Sequence, residues 1–265
     1  MAIHPTAIIS HKAELDSSVE VGPHAIIEEH VKIGTGTKVW ANAYITGHTE
    51  IGRDNEIHMG AVIGHEPQDL KFDRSSQSYL RIGDRNVFRE YCTVHRGTEP
   101  ESATVIGNDC FLMATAHVGH NCAIGDGVII CNGASAAGHA HIGDRAFLSG
   151  CVLIHQFTHV GRLVMFQGGA KVSMDVPPFT LAAGTNEVHA LNLVGLRRAK
   201  ISAEAVSELK NLFKLFYLSG LNGTDALDQA SRDGAFKTSE AREFIEFVRR
   251  SPNGICPPAR AQPKC

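Results

Sequence analysis

Aliphatic residues recur at every sixth position through most of this chain. Stepping by six from Ile3 gives Ile9, Leu15, Val21, Ile27, Ile33, Val39, Ile45, Ile51, Ile57 and Ile63, without exception Ile, Leu or Val. Neither a helical period of 3.6 nor a strand period of 2 produces such a run alone. The rhythm resumes at Ile82, Phe88 and Val94. It then runs from Ile106 through Leu112, Val118, Ile124, Ile130, Ala136, Ile142, Leu148, Ile154 and Val160 to Phe166 and Val172. Glycine often follows the aliphatic residue, as in Val21-Gly22, Ile33-Gly34, Ile51-Gly52, Ile124-Gly125 and Ile142-Gly143. A hexapeptide repeat predicts a parallel β-helix: one short strand and a tight turn per hexad, three hexads per triangular coil. The aliphatic side chain points inward, and small residues fit the corners.

Residues 1–178 are therefore expected to form the prism, closed by Pro177-Pro178. This hexad type resembles the left-handed β-helix, an exception to the right-handed crossover rule. About 26 hexads make roughly nine coils, and at ~4.8 Å per stacked strand the prism is about 40 Å tall. Two interruptions break it. Between Ile63 and Ile82 the spacing is 19, so residues 65–81 must leave the prism as a long loop. Between Val94 and Ile106 it is 12, so the phase is kept while 98–104 bulges outward. Long insertions in so regular a scaffold are more often functional than accidental. Beyond 178 the period becomes helical. Val206, Leu209, Leu212, Phe213 and Phe216 form a stripe in Ser202–Leu218 with Ser202 as N-cap, and 224–230 and 239–250 read as two further helices. The fold class is mainly β, with a C-terminal α-helical domain over 179–250 that caps the open end of the solenoid. The Pro- and Ala-rich stretch 251–265 reads as a disordered tail.

Composition narrows the function classes. Twenty-five Lys and Arg against 28 Asp and Glu give a net charge of −3, so no nucleic-acid footprint is indicated. Neither a secretory leader nor an apolar run of membrane-spanning length is expected, and the reading is a cytoplasmic protein. None of the seven cysteines forms a CxxC pair, which fits reduced thiols.

Stacking brings distant residues together, because positions one 18-residue coil apart lie above one another. His120, Gly138 and Gln156 make one column; Asn121, His139 and Phe157 make the next. His117 and His155 flank them, so the His-rich stretch collapses into one patch two coils high. An imidazole there could deprotonate a hydroxyl that attacks a thioester. A glycine above it would let a backbone N–H approach the developing oxyanion. Direct transfer requires no serine or cysteine nucleophile.

The segments His117-Val118-Gly119-His120-Asn121-Cys122, His95-Arg96-Gly97-Thr98, His155-Gln156-Phe157, Gln68-Asp69-Leu70-Lys71 and Asp175-Val176-Pro177-Pro178 resemble the UDP-N-acetylglucosamine O-acyltransferases, over nearly the whole chain. That resemblance implies transfer of a 3-hydroxyacyl chain from acyl carrier protein to the sugar-nucleotide 3-hydroxyl, the first step of lipid A synthesis. It implies a homotrimer with active sites between neighbouring prisms, and no cofactor or metal. Position by position, it makes His120 the general base and Gly138 the oxyanion donor. His117, His139, His155 and Gln156 would line the cleft. Gln68, Asp69 and Lys71 lie in the first insertion, where Asp69 and Lys71 would reach a neighbouring subunit. Asn192 and Arg198 would meet the nucleotide diphosphate and acyl substrate, and a guanidinium suits phosphate. Gly168 falls where acyl-chain length is set, and a glycine favours a longer chain.

Three positions depart from the family pattern. Asn121 stands where many members carry Asp beside the catalytic histidine, Val194 replaces a commonly acidic residue, and the segment around 187–190 is one residue short. Two other functions share the prism. A γ-type carbonic anhydrase holds zinc with a histidine pair five residues apart, a spacing that none of the 15 histidines shows. An N-acyltransferase acting on a 3-amino sugar nucleotide would often carry a separate N-terminal uridine-binding domain, whereas here the repeat starts at Ile3.

Overall fold

The computed structural model describes residues 2–232, 234, 236–252 and 254–259. Its described strands form three long sheets of eleven, nine and eight strands, here faces A, B and C. Successive strands step from A to B to C, as with Phe111–Leu112, His117–Val118 and Ala123–Ile124. Each strand then pairs in parallel with the equivalent strand of the next coil, 18 residues on where no insertion intervenes. The result is the left-handed prism.

The hexad side chains fill its interior: every one from Val21 to Val172 is buried. A second inward position lies two residues earlier, since alternate residues of an extended chain share a face. It takes small or slim side chains, including Ala61, Cys92, Cys110, Ala116, Cys122 and Val128. At the N-terminal end the core is open, and Ile3 is 41% exposed.

At the other end face A gains two further strands. Thr180–Ala183 continues the parallel stack, and Glu187–Leu191 returns antiparallel beside it. The expected helical region therefore begins with a hairpin, and its helices are α1 Leu193–Arg198, α2 Ala203–Tyr217, α3 Gly223–Ala230 and α4 Ser239–Arg250. Ser202, Asn222 and Thr238 cap α2, α3 and α4 by accepting a backbone N–H three residues on. Leu209, Leu212 and Phe244 extend the buried core, and a forked Arg162–Glu243 pair ties α4 to the prism.

The tail departs from expectation. Cys256 is buried, and Ile255 and Pro258 pair with Asp175 and Val188. The segment thereby satisfies backbone groups that the last coil would leave unpaired. Residues 253 and 260–265 of the tail lie outside the described residues. The first insertion is also shorter than the spacing suggested, and the second lies two residues earlier. Strands Val62–His65 and Tyr79–Ile82 leave 66–78 as the first loop; Thr93–His95 and Ala103–Ile106 leave 96–102 as the second. Leu80 and Thr104, at the second inward position, are buried and hold those strands to the prism.

Candidate active site

Both insertions and the His-rich turn leave the prism at one corner, where the chain passes from face B to face C. Loop 66–78 does so in one coil, loop 96–102 in the next, and His120-Asn121 in the one after. The connectivity thus brings three separate segments together along a single edge.

The turn geometry sets the side chains. Asn121, His139 and Phe157 all adopt the left-handed backbone conformation, with φ of 58°, 60° and 62°. Repeating one turn in successive coils stacks what it carries. The His139 ring lies over Phe157 at 4.6 Å and meets the His120 ring edge-on at 5.2 Å. Gly138 sits directly against His120, such that a Cβ there would lie 2.5 Å from both Cε1 and Nε2. No described group accepts the Gly138 N–H, whereas its carbonyl accepts from the Phe157 N–H at 3.2 Å.

Hydrogen bonds determine the state of His120. Asn121 Oδ1 accepts from the Thr98 N–H at 3.0 Å and the Thr98 hydroxyl at 2.9 Å, while its Nδ2 donates to Glu99 Oε2 at 3.1 Å. A backbone N–H can only donate and a carboxylate only accept, so the amide has one consistent orientation. Its oxygen lies 3.0 Å from His120 Nδ1, which must therefore carry the proton. In the neutral ring, Nε2 then carries the lone pair, on the side of Gly138.

Burial disfavours the charged form of three neighbouring histidines, His95, His117 and His139. Burial pushes His95 down to about 4, with the charges of His117 and His65 acting the same way. Burial lowers His117, aided by His120, and lowers His139, where His120 again contributes. His117 Nδ1 shares a 2.8 Å hydrogen bond with the Thr93 hydroxyl, and His155 Nδ1 donates to the Gln156 carbonyl at 3.2 Å. Burial drives the Cys122 thiol up to about 12, so the sulfur nearest in sequence is no nucleophile at neutral pH.

Loop 66–78 folds back along its own corner. The Arg96 guanidinium lies over the Phe72 ring at 5.4 Å, and Asp69 is near enough for its charge to raise His139. Within its own chain, Asp69 thus lies close enough to act on the patch. Gln68 and Lys71 are exposed beside it, as is Leu70. From the patch, an open groove of about 350 Å³ crosses face B between Ala137, Leu153, His155, Lys171 and Val172. Gly168 stands at the next corner, where a Cβ would meet only the Gly150 carbonyl oxygen at 3.5 Å.

Asn192 and Arg198 are not brought to this edge. Asn192 caps α1 by accepting from the Gly195 N–H, and its Nδ2 donates to the Leu163 carbonyl at 2.8 Å. Leu163 lies at the corner between faces C and A. Arg198 is exposed in the last turn of α1.

Comparison with known proteins assigns the family. The domain 2 family of Udp N-acetylglucosamine O-acyltransferase matches residues 175–256, and the bacterial transferase hexapeptide family matches 30–65 and 103–138. The acyl-[acyl-carrier-protein]–UDP-N-acetylglucosamine O-acyltransferase of Janthinobacterium sp. (strain Marseille) is 47% identical over 96% of this chain and 98% of its own. The chain belongs to that family. The enzyme of that name from Gloeothece citriformis is 51% identical over 66% of this chain and 63% of its own length. Among solved structures, the UDP-N-acetylglucosamine acyltransferase of Bacteroides fragilis superposes with a TM-score of 0.90 at 40% identity, covering 95% of this chain and 98% of that one. The Moraxella catarrhalis UDP-N-acetylglucosamine O-acyltransferase gives 0.90 at 35% identity over 97% and 100%. Membership makes this chain an acyltransferase. No helix among the described residues is long and apolar enough to cross a membrane.

Three contributors to this acyltransferase's histidine patch have no role in the sequence reading: Thr93, Thr98 and Glu99. An 18-residue step misses them because the coil beneath His120 carries an insertion. The strand register there is 24 residues, Thr93 to His117. Counting by 24 instead places the 96–102 loop under Asn121.

Proposed function

We propose that this acyltransferase moves a 3-hydroxyacyl chain from the thioester of acyl carrier protein to the 3-hydroxyl of UDP-N-acetylglucosamine, with His120 as general base. The observation that carries the reading is the forced tautomer: Nδ1 is tied to Asn121, and a basic Nε2 faces Gly138. Nε2 takes the proton of the sugar hydroxyl as its oxygen attacks the thioester carbon. The Gly138 N–H, with no protein acceptor described, binds the oxyanion of the tetrahedral intermediate. Collapse expels the carrier's thiolate, which recovers its proton from the His120 imidazolium. The neutral histidines around it suit contacts with an uncharged sugar. The face-B groove suits the hydrocarbon chain, and Gly168, at the corner between faces A and B, sets its length. Asn192 and Arg198 hold the nucleotide from a neighbouring subunit of a homotrimer. The setting is the cytoplasm, as the first step of lipid A synthesis.

The test is an assay of purified protein with UDP-N-acetylglucosamine or its 3-amino analogue and a panel of acyl carrier protein thioesters. We expect the 3-hydroxyl sugar and 3-hydroxyacyl donors to be preferred. His120→Ala should lose about 10²–10⁴-fold in turnover, the usual worth of a general base, with the fold retained. Near-normal turnover in that variant would remove the base assignment. Gly168→Met should move the preference to shorter chains, since a Cβ there meets only a carbonyl oxygen at 3.5 Å and the added side chain would take space left to the acyl chain. Each methylene displaced from apolar contact costs about 0.8 kcal/mol, roughly fourfold in selectivity. An unchanged preference would place the chain elsewhere.

A further inference from the structure

We propose that Glu99 is a positioning residue for His120, acting through the Asn121 amide to supply the negative charge that an adjacent Asp would otherwise provide. The inference rests on His120 being the base. The connection is continuous: Glu99 Oε2 accepts from Asn121 Nδ2 at 3.1 Å, and Asn121 Oδ1 faces His120 Nδ1 at 3.0 Å. An amide bridging a carboxylate and an imidazole N–H is polarised along its length. Its nitrogen leans on the anion and its oxygen becomes the better acceptor. As His120 takes the substrate proton, the positive charge that develops is opposed by Glu99 at one remove.

Loop 96–102 holds the carboxylate ready. The Glu99 N–H donates to the Ser102 hydroxyl at 3.0 Å, which in turn donates to the Glu99 carbonyl at 2.8 Å, so the backbone is clamped beneath Asn121. Hydrogen bonding to Thr98 holds the Glu99 carboxyl below the ordinary range, as do Ser102 and the charge of His139. His117 faces His120 from its own coil, His139 and His95 from the coils on either side, and Asp69 acts on His139. His139 and Asp69 must therefore be followed alongside His120.

Glu99→Gln is the decisive variant, because a glutamine oxygen can still accept from Asn121 Nδ2 and only the charge is lost. The acidic limb of the kcat/KM profile should move to lower pH by roughly half a unit, the scale of one screened charge, and less at high salt. Turnover should fall several-fold with KM for the sugar nucleotide unchanged. Ring ¹⁵N NMR of the free enzyme should show the same displacement for His120, independently of turnover. Asn121→Asp alone sets two carboxylates face to face, so adding Glu99→Gln to it should raise activity rather than lower it. An unmoved limb and unmoved His120 titration in Glu99→Gln, with His120→Ala inactive, would overturn this proposal and leave the base intact. A displacement confined to His139 overturns it too. An active His120→Ala would instead remove the reading on which it rests.

Discussion

Gly138 shows how little room the site leaves. Its φ is not in the left-handed region, so an alanine there carries no backbone strain; the obstacle is the neighbour. A Cβ 2.5 Å from Nε2 and Cε1 of His120 is closer than van der Waals contact permits, and the imidazole must swing away. Swinging breaks its 3.0 Å contact with Asn121 and moves Nε2 off the attacking hydroxyl. Misplacement by about 1 Å can cost 10²-fold, so Gly138→Ala should lose that much in kcat while its circular dichroism and melting temperature stay near normal. Full activity would mean the base lies elsewhere. His120 beneath Gly138, and Asn121 beneath His139, were legible in the sequence because an uninterrupted hexad repeat turns number into height. The direction of the Asn121 side chain was not legible. It depends on Thr98 and Glu99, which arrive on a loop whose length the repeat does not encode.

Individual coils and strands were the most readable elements, since burial of one aliphatic residue per hexad dictates strand, turn and register together. The hairpin 180–191 and the ordered segment 254–259 were hidden for the opposite reason: they lack the period and exist to pair the edge of the last coil. The strand Thr93–His95 carries a further consequence. His95 is 4% exposed, and burial holds its titration near 4, well below the ordinary 6.5. A histidine lowered in the folded state binds its proton more readily once unfolded. Its full contribution is present above about pH 6.5 and is lost as pH falls toward 4. The loss from this group is on the order of 3 kcal/mol, and His117, His139 and His141 are displaced in the same direction. Denaturant midpoints followed from pH 7 to 4 should fall steeply, and His95→Phe should flatten the curve. Parallel curves would show that His95 takes up its proton without unfolding.

The prism as a whole argues for a site completed by a second copy. His120 occupies the corner between faces B and C, with Glu99 and Asp69 on the same edge. Asn192 is anchored to Leu163 at the corner between faces C and A, two coils further on, and Arg198 continues from it on α1. Face C stands between the two corners, so one rigid prism cannot close both sets around one small substrate. Three prisms around an axis can, because each then presents one corner to its neighbour. Light scattering should report a trimer, and a fully active monomer would exclude this arrangement. Subunit mixing asks more. His120→Ala and Arg198→Ala trimers, each impaired alone, should regain activity when unfolded and refolded together. About a quarter of randomly assembled clefts then pair an intact His120 with an intact Arg198. If Asp69 serves the cleft of its own chain, where its charge acts on His139, mixing His120→Ala with Asp69→Ala should recover nothing, because no hybrid then restores the pair. Recovery in the second mixture, or none in the first, would exchange the two assignments and put Asp69 rather than Arg198 across the subunit boundary.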